Sequence, residues 1–111
     1  MILPTDLWVQ ALIRRAHMAG GYATVVRRGD ARAGAVLVKA FDTRERTARL
    51  YAEAFRGDGE RVWMEPLATT AEADLDAYVQ RAVGRDPDLW VVEVEDPQGR
   101  HFLTEPVEAS R

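Results

Sequence analysis

A single α+β domain follows from three observations. Two stretches carry apolar residues at helical spacing, short strand-like runs separated by turn chemistry lie between them, and a further strand and turn close the chain. The expected order is a helix, a four-stranded antiparallel meander, a second helix and a C-terminal β-hairpin, with both helices on one sheet face. At 111 residues the chain is one domain, residues 1–111, able to bury about 65% of its unfolded surface without staples.

The first helix is read from Trp8, Ala11, Leu12, Ala16 and Ala19, with Thr5 placed to cap it and Gly20-Gly21 to end it. Four runs follow: Tyr22 to Arg28, Ala35 to Phe41, Arg46 to Phe55 and Arg61 to Leu67. Their short spacings join antiparallel neighbours, because a parallel pair needs a crossover of a dozen residues or more. Alternation puts Val36, Val38, Ala40, Ala48, Leu50, Ala52, Ala54, Val62 and Met64 on one face, which is expected to meet the helices. Gly57-Asp58-Gly59 is a three-residue hairpin loop setting Phe55 opposite Arg61, Glu53 opposite Trp63 and Tyr51 opposite Glu65.

Thr69-Thr70-Ala71-Glu72 has the form of a capping box, opening a helix with Leu75, Tyr78, Val79, Ala82 and Val83 on one face. Gly84 and Pro87 stop it. Leu89 to Glu95 reads as a strand added to a sheet edge beside the first strand, and Asp96-Pro97-Gln98-Gly99 as a type I turn. Arg100 to Thr104 would return antiparallel, with Glu95 opposite His101 and Val94 opposite Phe102. Residues 105–111 are expected to be a loose tail.

The stretch Arg85-Asp86-Pro87-Asp88-Leu89-Trp90-Val91-Val92-Glu93-Val94-Glu95-Asp96, with Gly29-Asp30 and Gly34-Ala35-Val36-Leu37-Val38 upstream, resembles a family of short alphaproteobacterial proteins catalogued as a domain of unknown function. The likeness runs from about the first helix to the last hairpin. It implies a cytoplasmic bacterial protein with an arginine-rich genome. It brings no activity, cofactor or catalytic residue with it.

Composition narrows the function classes. With 47% hydrophobic and 30% charged residues the chain is ordinary for a globular protein. No apolar run approaches the ~18–20 residues of a membrane helix, and Met1-Ile2-Leu3-Pro4 lacks a signal-peptide pattern, so no membrane role and a cytoplasmic location are expected. The absence of cysteine removes disulfides, thiolate metal sites and thiol catalysis together. A net charge of −3 supplies no cationic field for nucleic acid. Of the 15 basic residues only Lys39 is a lysine. The arginines are scattered, as GC-rich codon usage would leave them, rather than massed as a phosphate-binding patch.

Asp86, Asp88, Glu93, Glu95 and Asp96 could ligate Mg²⁺ or Mn²⁺, and Pro-Asp followed by Glu-x-Glu has a faint likeness to restriction-type nuclease sites. Against this, the lysine such sites place two residues after the second acid is replaced by Glu95. The structural alternative makes Asp86 or Asp88 a turn cap and Glu93 and Glu95 solvent-facing strand positions. His17 suits a helix C-terminus. His101 could be a general base oriented by Glu95, or half of a cross-strand charge pair. Neither glycine-rich turn fits a phosphate loop, since no Gly-Lys-Ser/Thr follows.

The remaining candidate is the other sheet face, where Phe41, Tyr51, Phe55 and Trp63 interleave with Arg49, Glu53 and Arg61. Aromatics among arginines anchor protein interfaces and stack single-stranded nucleic acid. The balancing acids disfavour nucleic acid and favour a protein partner or a second copy. A face half covered by the last hairpin would serve neither. The expectation is therefore a non-catalytic protein-binding or regulatory module, a homodimer through this face, needing no cofactor or metal. The rival is a small acid–base or metal-assisted hydrolase around His101, Glu95, Asp86 and Asp88, and a third possibility is an RNA-binding sheet.

Overall fold

Val36-Leu37-Val38 and Trp90-Val91-Val92 are apolar without alternation, which suits strands covered on both faces. The structure, a computed structural model describing residues 3–108, places them side by side. The elements are α1 (Thr5–Met18), β1 (Tyr22–Arg27), β2 (Val36–Asp42), β3 (Thr47–Phe55), β4 (Arg61–Met64), α2 (Glu72–Arg85), β5 (Trp90–Asp96) and β6 (Val107–Glu108). They form one six-stranded mixed sheet in the order β1-β5-β2-β3-β4-β6. β2 and β5 pair in parallel from Val36–Trp90 to Asp42–Asp96, and β4 and β6 pair in parallel through Trp63–Val107.

The α+β class holds, but the four-stranded antiparallel meander does not. β5 pairs with β1 as expected, yet it lies between β1 and β2 rather than at an edge. The loop joining β1 to β2 makes room for it. Gly29 and Gly34 both press against the Asp88 carbonyl and the Trp90 ring, where a Cβ on either glycine would collide. The Trp90 indole donates to the Asp30 carbonyl at 2.7 Å, and the Asp30 amide donates to that of Asp88 at 3.0 Å. The two motifs that carry the family resemblance are thus halves of one clasp.

The helices lie on opposite faces, not on one. β2 pairs with β3 in a register that sets Val38 beside Tyr51 and Leu37 beside Ala52, so even positions of one strand share a face with odd positions of the next. One face gathers Val36, Val38, Ala40, Tyr51, Trp63 and Trp90 against Trp8, Val9, Leu12 and Ala16 of α1. The other gathers Leu37, Ala48, Leu50 and Leu89 against Leu75 and Tyr78 of α2. The β3–β4 register is the expected one, Phe55 pairing with Arg61 and Glu53 with Trp63.

Neither helix start is capped as its sequence promised. Thr5 Oγ1 donates to the Gly34 carbonyl at 2.8 Å, tying α1 to the clasp loop. Thr69 Oγ1 accepts the Ala71 amide, and α2 begins only at Glu72, continuing through Gly84 to Arg85. Gly20, with φ of 92°, ends α1 in the left-handed conformation expected.

The last hairpin does not form. β1 and β2 already occupy both sides of β5, so no edge is left for residues 100–104. Asp96 instead holds the turn: its buried carboxylate accepts the Gln98 and Arg100 amides and pairs with the Arg100 guanidinium. Phe102 then takes a φ of 61°, outside the strand region. Its carbonyl accepts two hydrogen bonds from Arg15. The segment expected to be loose from Glu105 onward docks through Glu108 as β6, and residues 109–111 lie outside the described part.

Candidate interaction surfaces

The seven residues expected to form one exposed face are divided. Phe41 is half-buried on the α2 face, because its register partner is Ala48. The other six follow the α1 side. There Trp63 has no exposed surface and Tyr51 is 5% exposed, so both are covered by the chain itself and neither is open to RNA or to a partner while that cover is in place. Only Phe55, 58% exposed, and Arg49, paired with Glu65 at 2.9 Å, reach solvent broadly.

The aromatic face is an interface, but with the chain itself. Trp8 of α1 stacks on Trp63 with centroids 5.2 Å apart. The Glu105 carboxylate accepts both indole N–H groups, from Trp8 at 3.1 Å and from Trp63 at 3.0 Å. Burial would raise its pKa, yet these donors and Arg61 hold it below the usual carboxylate range. Glu53 is buried, which pushes its pKa up, while Arg61 and the Val36 amide oppose the shift. The Arg61 Nε lies 2.7 Å from Glu53 Oε2, an ion-pair contact without the alignment of a hydrogen bond.

The acid cluster is dispersed. Asp86 Oδ1 accepts the Asp88 amide in a turn, and Asp96 is fully buried in its own turn. Glu93 faces Lys39 at 3.3 Å. That lysine, on β2, also binds Glu72 and Asp76 of α2, each at 2.8 Å, and so fastens the start of α2 to the sheet. No group of three His, Asp or Glu placed to hold a metal occurs among the described residues.

His101 and Glu95 are not brought together. His101 sits edge-on to Tyr51, 5.0 Å between centroids, and its Nδ1 accepts the Leu103 amide at 2.9 Å. Burial lowers its pKa, against the field of Glu65. Glu95 pairs with Tyr22 and Phe41 on β1 and β2, across the sheet.

Apart from Leu3, Phe55 and Val107, the large apolar side chains left exposed among the described residues lie on α1 and β1. Leu7 and Met18 project from α1 around a shallow groove of about 580 Å³ that also includes Ala11 and Arg14. His17 stacks on Tyr22 at 5.4 Å, joining that groove to β1, where Tyr22 and Val26 are each more than half exposed. β1 is also an open edge. The Trp90 amide bonds to Ala35 and the Asp96 carbonyl to Thr43, so even positions of β5 face β2 and odd ones face β1. The partners Tyr22 and Thr24 therefore point their backbone groups inward, and Ala23 and Val25 point theirs outward. Sequence reading passed over this surface. Its signal was Tyr22-Ala23-Thr24-Val25-Val26, a strand with no polar face to turn to water.

Fold and surface together define a small α+β protein, a six-stranded mixed sheet with one helix on each face and an apolar patch at one edge. The chain belongs to the family described as protein of unknown function, DUF1491, which matches residues 3–104. A DUF1491 family protein from Caulobacter crescentus is 69% identical; its crystal structure gives a TM-score of 0.95, with 96% of this chain and all 100% of that one covered. An NMR structure of a DUF1491 family protein from the same organism, also 69% identical, gives 0.92 over 97% of this chain and 98% of that one. The solution structure of a protein from A. tumefaciens, 34% identical, gives 0.80 with 95% of each chain covered. No curated protein matches the chain. No helix among the described residues is long and apolar enough to cross a membrane.

Proposed function

We propose that this protein is a non-catalytic protein-binding module that pairs with a second copy through the β1 edge. The observation that carries the reading is the set of exposed apolar side chains from Leu7 and Met18 through the His17–Tyr22 stack to Val26, beside a strand edge that has no neighbouring strand and that only His17 caps, at Ala23. Soluble monomers usually blunt such an edge with charge or proline. A two-fold axis through Thr24 would pair Ala23 with Val25 across the copies and lay each copy's Tyr22 against the other's Val26. The buried ionisable groups support the same reading, since Lys39, Glu53, Asp96 and Glu105 each serve packing. Mass in solution across a concentration series tests it. The expected result is a dimer that dissociates on dilution, and a strict monomer into the millimolar range contradicts it.

A further inference from the structure

At the far end of the sheet from β1, the aromatic face and the β4 edge are closed by a short piece of the chain's own C-terminal region. β6 is two residues long and lies parallel to β4, where the Trp63 amide donates to the Pro106 carbonyl at 2.9 Å. Its hold is mostly polar. Glu105 accepts the two indoles, Arg61 stands 3.8 Å from Glu105, and Arg56 binds Glu108 at 2.6 Å. Val107, the apolar residue of β6, remains 38% exposed. The side-chain donors and cations of this contact, Trp8, Trp63, Arg56 and Arg61, belong to the body of the fold, and the acids are on the strap. One strand inward, Phe55 is largely exposed under the Arg61 guanidinium, an anchor the strap leaves unused.

We infer that the β4 edge, with the paired indoles of Trp8 and Trp63, is a docking site for an extended acidic segment of another protein, and that residues 105–108 are an internal surrogate keeping it closed. The chemistry of the occupant is set by the surrogate. It needs a carboxylate to take both indole N–H groups, an extended backbone to continue the sheet in parallel, and a second acid for Arg56. An apolar side chain reaching Phe55 would let it displace the strap. The site is independent of the β1 edge, and either can fail without the other.

Hydrogen exchange followed by NMR on the full chain tests the opening. Trp90, whose indole donates to Asp30 in the clasp, is the internal control. The Trp63 amide and the Trp8 and Trp63 indoles should exchange about tenfold or more faster than the Trp90 indole and the β5 amides, as local opening requires. Glu105→Gln should speed the first set by roughly another tenfold and leave the second unchanged. A peptide of residues 104–111, added to the full-length Glu105→Ala chain, should move the two indole resonances back toward their unsubstituted positions. The same peptide carrying Gln at the Glu105 position should not. A single exchange rate for both sets overturns the inference, because the strap would then open only with the whole fold. So does a peptide that fails to bind, or one that binds equally well with Gln.

Discussion

The Nε2 atom of His17 lies 3.2 Å from both the amide nitrogen and the carbonyl oxygen of Ala23. One ring nitrogen therefore covers both outward-facing backbone groups of that residue, accepting from one or donating to the other according to its tautomer. It caps part of the edge through which a second copy would pair. His17→Ala uncovers it, and self-association should tighten by roughly two- to tenfold in Kd, the worth of one exchanged hydrogen bond. Sedimentation velocity reads this directly. Weaker association would instead make the imidazole part of the contact.

The clasp makes two glycines irreplaceable and leaves others free. Gly29→Ala or Gly34→Ala puts a methyl group onto the Asp88 carbonyl and should cost at least about 2–3 kcal/mol in urea unfolding. Gly84 is inside α2 with nothing within 4 Å of a new Cβ, so Gly84→Ala should stabilise by about 0.5–1 kcal/mol. Equal effects at Gly29 and Gly84 would contradict the close approach.

Lys39 is expected to be the electrostatic fastener of α2. Burial alone would lower its pKa, but hydrogen bonds to Asp76 and Glu72 and the field of Glu93 outweigh this and raise it well above the usual lysine value. A raised cation pKa adds stability that persists through neutral pH and is lost only in strong alkali, as pH climbs through the folded value. Lys39→Met leaves Glu72, Asp76 and Glu93 facing one another without a cation. The expected loss is about 2 kcal/mol, kept modest by the acids' exposure, with part recovered in 1 M salt. A variant as stable as the parent at low salt would exclude the fastener role.

Asp96 titrates in the opposite sense. The Arg100 guanidinium, against the effect of burial and with the Arg100 and Gln98 amides, lowers its pKa from 3.8 to about 2. The stability it contributes is complete above the unfolded value and disappears as pH falls from there toward the folded one. The carboxyl carbon shift of Asp96 should show it still ionised at about pH 3. Asp96→Asn should cost on the order of 2–3 kcal/mol near neutral pH, and removes the acid-dependent step.

Much of this fold was legible because local chemistry wrote it. The β3–β4 register follows from an odd-numbered glycine loop, and α2 from the spacing of Leu75, Tyr78, Val79 and Ala82. The β2–β3 register was not legible. Its loop has four residues, Thr43 to Arg46, closed by Arg46 at a φ of 57° without a glycine to mark it. An even loop reverses which strand positions share a face, and that one-residue parity turned a one-sided sheet into a two-sided one. The unbroken apolar runs in β2 and β5 carried the missing signal. The surface was harder to see, since Tyr51 and Trp63 have the composition of an interface, and the Glu105 that closes over the Trp8 and Trp63 indoles lies 97 and 42 residues from them in sequence. Met18 lies outside the helical spacing read for the first helix, and Val26 lies in the first strand, whose lack of a polar face was the signal left unread.

The reading of β1 as a pairing edge is tested most directly by exchange at its own amides. Hydrogen exchange is measured for Ala23 and Val25 at low and high protein concentration, in the full chain and in Val26→Lys. Both amides should become more protected as concentration rises, while Tyr22 and Thr24, already bonded to β5, stay unchanged and the lysine variant loses the effect. Rates at Ala23 and Val25 that do not depend on concentration would contradict it.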